Sequence, residues 1–497
     1  MSDVIEFLLN GEKVRVQDMR ADTTLLNWLR LNQKQTGSKE GCAEGDCGAC
    51  TVLVRRPDDE SHGLQAVNAC ILFLPMVQGC AITTVEGIAS QAGELHPVQQ
   101  AIIDHHGAQC GFCTPGFVVS LYGLWRQKGP FTSDVINDAL AGNLCRCTGY
   151  HPLVEAGKSL AHYEMPSWEQ ERIKAEDDYV AQSQSQTALA IAHDDQLFFA
   201  PQSLDELTAL YDEYPDAQIL SGGTDIGLWV TKQHRQLSVI ISTKSVSALN
   251  HIHKDDKAWV IGAGISHQKA MDAMGADYPA LQEIWRRFGS MQVRASGTVC
   301  GNIANGSPIG DISPCLLALN AEVRLTKKGT TRQIKLEDFF IDYGKQDRQK
   351  GEFVEALIVP HLQEASYFHA HKISKRFDQD ISAILVAAYL SMKDDKITSC
   401  HFAFGGMAGI PKRAPYTEAL VQGQIPQDIS ADMLYAALMD DFTPLNDMRA
   451  SAEYRLRVAA NSLWRILQSP QDENPQSLAG AGLYQQISSF EKDEISL

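Results

Sequence analysis

Three features of the sequence predict a multidomain α+β chain. Residues 4–16 alternate apolar and polar side chains around Asn10-Gly11, the pattern of a β-hairpin closed by a tight turn. Between Pro97 and Tyr163 the apolar residues fall instead at helical spacing. Beyond residue 194, short apolar runs and helical stretches alternate to about residue 468. With 497 residues, 44% of them hydrophobic, the chain has room for three or four domains at roughly 100–200 residues each.

Taken in order, residues 1–85 run from the hairpin into a helix over Leu25–Leu31, a cysteine-bearing loop and a strand over Thr51–Arg55. That set suits a small β-grasp, ferredoxin-like module. In residues 86–163, three groups each stack on one helix face at the i, i+3, i+4 spacing: Val98, Ala101 and Ile102; Phe117, Val118, Leu121 and Leu124; Leu153, Ala156 and Leu160. They predict a helical bundle, with a second cysteine group at the helix ends whose four ligands meet in its middle. Residues 164–193 are polar and rich in Gln and Ser, and read as an exposed linker with room for a helical stretch and no chemistry of its own. The region 194–365 is α+β, with strands over Gln218–Leu220, Val239–Ser242 and Trp259–Ile261 and a helix over Gln268–Met274. A last domain, 366–475, opens with a strand near Ile384–Ser391 and closes on a helix near Tyr454–Leu467, and 476–497 read as a loose tail.

The formal charge of −18, with no offsetting basic cluster, argues against nucleic-acid binding and serves solubility. The N-terminus MSDVIEFLLNGEKV carries charges where a signal peptide needs an apolar core, and no run approaches the roughly 20 apolar residues of a membrane span. The expected location is therefore the reducing cytoplasm, where clustered cysteines bind metal more often than they pair as disulfides.

Eight of the twelve cysteines fall into two groups. Cys42, Cys47 and Cys50 read C-x4-C-x2-C, and Cys70 follows after nineteen further residues, which is the plant-type ligand spacing for a 2Fe–2S cluster. Gly41, Gly45 and Gly48 let that loop bend and bring backbone N–H groups to the sulfurs. A zinc site prefers paired C-x2-C knuckles. The second group, Cys110 and Cys113 with Cys145 and Cys147, combines C-x2-C with C-x-C, and by spacing alone a four-cysteine zinc site stays open. Cys80, Cys300, Cys315 and Cys400 stand apart and read as small buried apolar residues.

The surrounding residues carry a resemblance. QCGFCTPG and NLCRCTGYHP are similar to the second cluster domain of the xanthine oxidase family of molybdenum hydroxylases, and GCAEGDCGACTV to its first cluster loop. LSGGTDIGL, residues 220–228, resembles that family's flavin loop, which implies FAD contacts at Leu220, Ser221, Gly222, Gly223, Thr224, Asp225 and Ile226. Independently of the resemblance, Gly222 and Gly223 suit an anion nest for a diphosphate, with Thr224 adding a hydroxyl. The turn is not the dinucleotide fingerprint, and IGAG at 261–264 lacks the third glycine. RASGTVCGNIANGSPIGDISP, residues 294–314, resembles the stretch that crosses the flavin, with Thr298, Gly301, Asn302 and Asp311 at matching positions. Asp311 there would hold a ribityl or adenosine hydroxyl. Phe288 falls where the family places an aromatic near the flavin ring, and Lys372 falls at its pyrimidine contact, where a cation favours an anionic reduced flavin. Asp225, Tyr343, Asp380 and Ile381 fall at the NAD side. Two departures are Cys300, where relatives have glycine, and Gln379, where an acid is common.

The resemblance implies a four-helix-bundle 2Fe–2S module over 86–163, a vanillyl-alcohol-oxidase-like, two-part FAD domain over 194–365 and a C-terminal flavoprotein domain of α/β type over 366–475. It also implies two 2Fe–2S clusters and FAD on this chain, with NAD as acceptor. The molybdenum–pterin cofactor would sit on a large partner subunit, since the family's long molybdenum region does not follow within these residues. Gln109 falls at a position that reaches the pterin. Two small and two large chains are expected. The implied function is the electron-transfer part of the xanthine dehydrogenase branch, with aldehyde, nicotinate or aromatic acyl-thioester substrates as the alternative within the family. A free-standing flavin–ferredoxin reductase is the alternative outside it.

Overall fold

A computed structural model describes residues 2–57, 64–183 and 188–471; the expected tail at 476–497 lies outside the described residues. In the N-terminal domain, strands Ile5–Leu9 and Glu12–Val16 pair antiparallel across Asn10 and Gly11, both at positive φ (51° and 88°). These are the dihedrals that let a two-residue turn follow the strand twist. Ile5–Leu9 also pairs in parallel with Ala81–Thr83, which continues through Thr51–Arg55 to Leu64–Asn68, completing a five-stranded sheet. Helix Leu25–Leu31 starts where the Thr24 hydroxyl accepts the Asn27 N–H, and it packs Trp28 edge-on against Phe7, with ring centroids 5.3 Å apart.

Four helices, Pro97–Asp104, Thr114–Arg126, Ser133–Leu140 and His151–Ser159, form the next domain around Phe117, Leu121, Ile136 and Leu153, all fully buried. The cysteines of this domain lie in the loops that lead into Thr114–Arg126 and His151–Ser159. They therefore gather at one end of the bundle, with Cys110 and Cys147 exposed, and not in its middle as the helical pattern led us to expect.

The segment expected as an exposed linker is a helix, Ser167–Ser183, laid over both cluster domains. Its Glu169 and Glu176 are buried. Arg126 of the bundle spans them, at 3.5 Å from Glu169 and 3.0 Å from Glu176, and Arg172 closes on Glu169 at 3.3 Å. Glu176 also accepts from Thr83 of the N-terminal sheet, at 3.2 Å. This helix hides its buried face from an apolar-periodicity reading because its anchors are charges. The expected linker also ends inside a strand, Leu189–His193, that belongs to the flavin-side domain.

That domain has two parts. Strands Leu189–His193, Gln196–Ala200, Val239–Ser242 and Gln218–Leu220 form one sheet. Ile252–Lys254, Ala258–Gly262, Phe353–Pro360, Glu322–Lys327 and Thr330–Lys335 form a second, antiparallel sheet. Short helices between the two parts carry residues 279–318. The C-terminal domain opens one strand earlier than expected, at Ser366–Ile373. Its antiparallel sheet runs on through Ile384–Lys393, Lys396–Gly405 and Lys412–Arg413 and packs on helices Pro415–Val421, Ala431–Asp441 and Ala452–Gln468. Among the described residues, no helix is long and apolar enough to cross a membrane.

Arg126→Met leaves Glu169 and Glu176 buried without their shared cation, and breaking such a buried pair costs about 3–5 kcal/mol. The expected outcome is a lower urea midpoint for the cluster domains, followed by the iron–sulfur absorbance. Adding Glu169→Gln and Glu176→Gln should recover much of it. An unchanged midpoint in the single variant would refute the role of the charged anchor.

Candidate iron–sulfur and flavin sites

The loop that carries Cys42, Cys47 and Cys50 folds back on Cys70 at the end of strand Leu64–Asn68. Cys42 Sγ accepts from the Cys47 and Cys70 thiols and from the backbone N–H groups of Cys47 and Glu44, each N–H at 3.4 Å. This crowd of donors, the Cys47 thiol first, holds the Cys42 thiol far below its ordinary pKa. Gly48 sits at φ +70°, and a Cβ there would meet the Gly142 carbonyl oxygen at 2.1 Å. The four sulfurs thus converge under backbone donors, an arrangement that suits an anionic iron–sulfur cluster.

In the second group, Cys147 Sγ lies 3.6 Å from Cys110 Sγ, and Cys113 bonds Cys145. Cys145 Sγ takes the Thr148 N–H at 3.5 Å and contacts its hydroxyl at 3.2 Å. Cys113 and Cys147 lie just ahead of helices Thr114–Arg126 and His151–Ser159, whose N-terminal dipoles favour negative charge. The pattern fits a second cluster at the surface, with Gln109 and Phe112 exposed beside it. The two cysteine loops touch directly, since the Leu144 N–H donates to the Cys47 carbonyl at 3.0 Å, one residue before Cys145.

A cavity of about 610 Å³ opens between the two parts of the flavin-side domain and the C-terminal sheet, within the roughly 300–1,000 Å³ of ligand sites. Ser221, Gly222, Gly223, Thr224, Asp225, Ile226, Phe288, Thr298, Gly301, Asn302, Asp311 and Lys372 all line it, as do Asp380 and Ile381. Leu220 is the exception: its side chain is fully buried in the core, and its carbonyl accepts from the Thr243 N–H at 2.8 Å. Strand pairing consumes it, so it does not reach the cavity. Tyr343 is 74% exposed and absent from the wall, although Gly344 beside it is present.

Three observations show that the wall fits a dinucleotide such as FAD. Among the described residues, the N–H groups of Gly222, Gly223 and Thr224 donate to no protein acceptor. A Cβ on Gly222 would meet the Ser296 carbonyl oxygen at 2.2 Å, so the backbone turns hard against the next segment and faces the cavity instead. Asn302 Oδ1 is buried with no partner. Asp225 is reached by water through the cavity mouth, yet enclosing protein pushes its carboxyl above the usual range.

The charges on the wall depart from expectation. Lys372 Nζ lies 2.5 Å from Asp311 Oδ2, both buried, and the Ser382 hydroxyl donates to Asp311 Oδ1 at 2.5 Å. Asp311 is thereby occupied as the lysine's counter-ion, and Lys372 is no isolated cation. Cys300 keeps a helical backbone in Val299–Asn305, and its Sγ bonds the Ile261 carbonyl at 3.5 Å in the core. Glu44, Ile71 and His267 also line the cavity; Glu44 lies in the first cysteine motif but was not expected at the flavin, and Ile71 and His267 carried no motif. Burial pushes His267 down to about 3, so the ring that packs on Phe288 at 4.6 Å is neutral. Glu44 is two residues from Cys42 and Ile71 is next to Cys70, which places the first cysteine group against the cavity.

Four family models match in succession. A 2Fe–2S iron–sulfur cluster binding domain matches residues 7–74, a 2Fe–2S binding domain 84–158, the FAD binding domain in molybdopterin dehydrogenase 191–362, and the CO dehydrogenase flavoprotein C-terminal domain 369–469. The chain has the iron–sulfur and flavin layout of the molybdenum hydroxylases. Among curated relatives of this hydroxylase group, aldehyde oxidase 2 of Macaca fascicularis is 28% identical over 94% of this chain and 39% of its own length. Xanthine dehydrogenase 2 of Arabidopsis thaliana is 30% identical over 84% of this chain and 36% of its own. The chain therefore spans little more than a third of the hydroxylase relatives it matches. Reconstituted CO dehydrogenase from Oligotropha carboxidovorans shares the fold over 55% of this chain and 96% of that chain, with a TM-score of 0.52 at 23% identity.

Gly222→Ala drives a methyl into the Ser296 carbonyl and displaces the glycine turn. The purified variant should carry far less FAD per iron atom than its parent, with the iron–sulfur absorbance kept. Full flavin content would show that the turn does not hold the cofactor.

Proposed function

We propose that the chain carries electrons in a two-part molybdenum hydroxylase of the xanthine dehydrogenase branch. In this reading a large partner subunit holds the molybdenum–pterin cofactor, and NAD+ is the final acceptor. The observation that carries the reading is a continuous order of sites within one chain. The exposed Cys110/Cys113/Cys145/Cys147 group meets the Cys42/Cys47/Cys50/Cys70 group through the Leu144–Cys47 hydrogen bond, and Ile71, next to Cys70, forms cavity wall. When bound, the clusters supply single-electron steps, and FAD converts between single electrons and a hydride pair.

Each part of the chain has a share in this work. Cys110 and Cys147 present the outer group at the surface, with Gln109 and Phe112 beside them, where the partner's pterin would approach. Backbone N–H groups at Cys42 stabilise the added negative charge of the inner group. The Gly222-Gly223-Thr224 turn offers its N–H groups to a diphosphate. Neutral His267 and Phe288 form an apolar wall. Asp380, whose carboxylate accepts the Lys375 and Arg376 N–H groups at 2.7 and 2.8 Å, fixes the loop at the cavity rim on the nicotinamide side. The relatives' names include both xanthine dehydrogenases and aldehyde oxidases, so the substrate is argued only from the resemblance of the fused iron–sulfur and flavin layout.

An anaerobic titration of the purified protein with NADH tests the reading. The expected outcome is bleaching of flavin absorbance followed by that of the iron–sulfur centres. If dithionite bleaches both but NADH bleaches neither, the NAD assignment falls while the cofactors stand. Copurification of a large molybdenum-bearing subunit, with urate formed from xanthine, is the expected result for the partner and substrate.

A further inference from the structure

Four buried polar side chains close on one another where the two cluster domains meet the flavin domain. Gln292, on the short helix Met291–Ser296, is 1% exposed. Its Nε2 donates toward Thr51 Oγ1 at 3.3 Å, Ser120 Oγ at 3.3 Å and Asn143 Oδ1 at 3.2 Å. Asn143 Nδ2 in turn donates to the Gly48 carbonyl at 3.1 Å and to Thr51 Oγ1 at 3.3 Å. The hydroxyl protons are already committed, Thr51 to Gly48 at 2.6 Å and Ser120 to Asn143 Oδ1 at 2.7 Å. The group facing those three oxygens must therefore be the amide NH2, which assigns the orientation of Gln292 from its network.

Each partner belongs to a different working part. Gly48 lies between the ligands Cys47 and Cys50, Asn143 lies two residues before Cys145, and Phe288, Gly289 and Val293 around Gln292 line the flavin cavity. Gln292 Oε1 has no partner and abuts Gly142, where a Cβ would stand 1.8 Å from it. A buried amide with an unpaired oxygen is a poor device for stability alone. Its use in registration fits better, because polar groups in a core tolerate few alternative alignments. Other ties from the flavin domain reach one cluster domain each: Arg286 meets Asp138 of the helical domain, while the Thr231 hydroxyl donates to the Ala43 carbonyl at 2.7 Å and Lys232 lies 3.5 Å from Glu44 in the first cluster domain. Of these side chains, Gln292 is the one that bonds to both.

We infer that Gln292 is a positioning residue that holds the flavin domain in register with both cysteine loops, so that electron passage between flavin and clusters depends on its amide. This rests on the electron-relay reading above. Each passage moves one electron, oxidising the flavin and reducing a cluster, with no bond made or broken at Gln292.

The test uses the full-length protein as purified, with the flavin reduced anaerobically by a light flash and cluster bleaching followed in time. Gln292→Met keeps the volume and removes the amide, and Gly142→Ala pushes a methyl at Oε1. Both should keep parental flavin and iron content. Both should also keep the parental magnetic coupling between the reduced clusters, since the Asn143–Gly48 and Leu144–Cys47 bonds remain. The flavin-to-cluster rate should fall about tenfold, because small misplacements of reacting centres are costly. Unchanged rates in both variants overturn the inference. So does a rate loss that comes only with lost cofactor or lost intercluster coupling, which marks a merely structural role. A parent protein whose reduced flavin never bleaches the clusters overturns the relay reading and this inference with it.

Discussion

The contact between the two cysteine loops is the constraint on which the rest of the molecule depends. A backbone hydrogen bond makes it, and the Asn143 side chain adds a second to the Gly48 carbonyl at 3.1 Å. The Leu144 N–H meets the Cys47 carbonyl at 3.0 Å. That approach is possible only because Gly48 and Gly116 have no Cβ: one on Gly116 would stand 2.2 Å from the Gly48 carbonyl, and one on Gly48 would stand 2.1 Å from that of Gly142. Interiors packed this closely do not deform continuously, so the spacing between the sulfur groups is set by hard contact. Everything outside the interlock secures it. The helix Ser167–Ser183 ties the two domains through Arg126, Glu169, Glu176 and Thr83, and Gln292 ties both to the flavin side.

On the flavin side the decisive feature is a charge that comes already paired. A lone buried lysine would act as a monopole on the cavity, worth about 4 kcal/mol on a unit charge 4 Å away at an effective dielectric of about 20. With Asp311 at 2.5 Å, Lys372 presents a dipole whose field falls off much faster. Its effect on a bound group then depends on direction as well as distance. The pair also explains why both charges tolerate burial: each is the other's solvent, and Ser382 serves the second carboxylate oxygen. The cavity keeps its free donors on the backbone, at Gly222, Gly223 and Thr224, where a diphosphate can be bound without burying another cation.

Local chemistry was readable from the sequence wherever one short segment carries it whole. The Asn10-Gly11 hairpin, the helix over Leu25–Leu31, the Cys42–Cys50 loop and the glycine turn at 222–223 each depend on neighbours within a few residues. Contacts between distant segments were not readable. Leu220 belongs to a recognisable loop, yet strand pairing with the segment ending at Thr243 turns it into the core. Lys372 and Asp311 could each be placed by motif, but their pairing spans 61 residues and no motif carries it. Glu44, Ile71 and His267 reach the cavity from three separate elements and share no pattern.

The linker helix shows the same limit in its sharpest form. Apolar periodicity detects a helix that buries hydrocarbon, and Ser167–Ser183 buries carboxylates instead. Glu169 and Glu176 stand seven residues apart, two turns on one face, so the period is present but is written in acids. What makes that face a buried one is Arg126, supplied by another domain. A charged stripe therefore reads as solvent-facing until its partner is known. Here the polar residues that read as surface, Glu169 and Glu176, are the ones that hold two domains together.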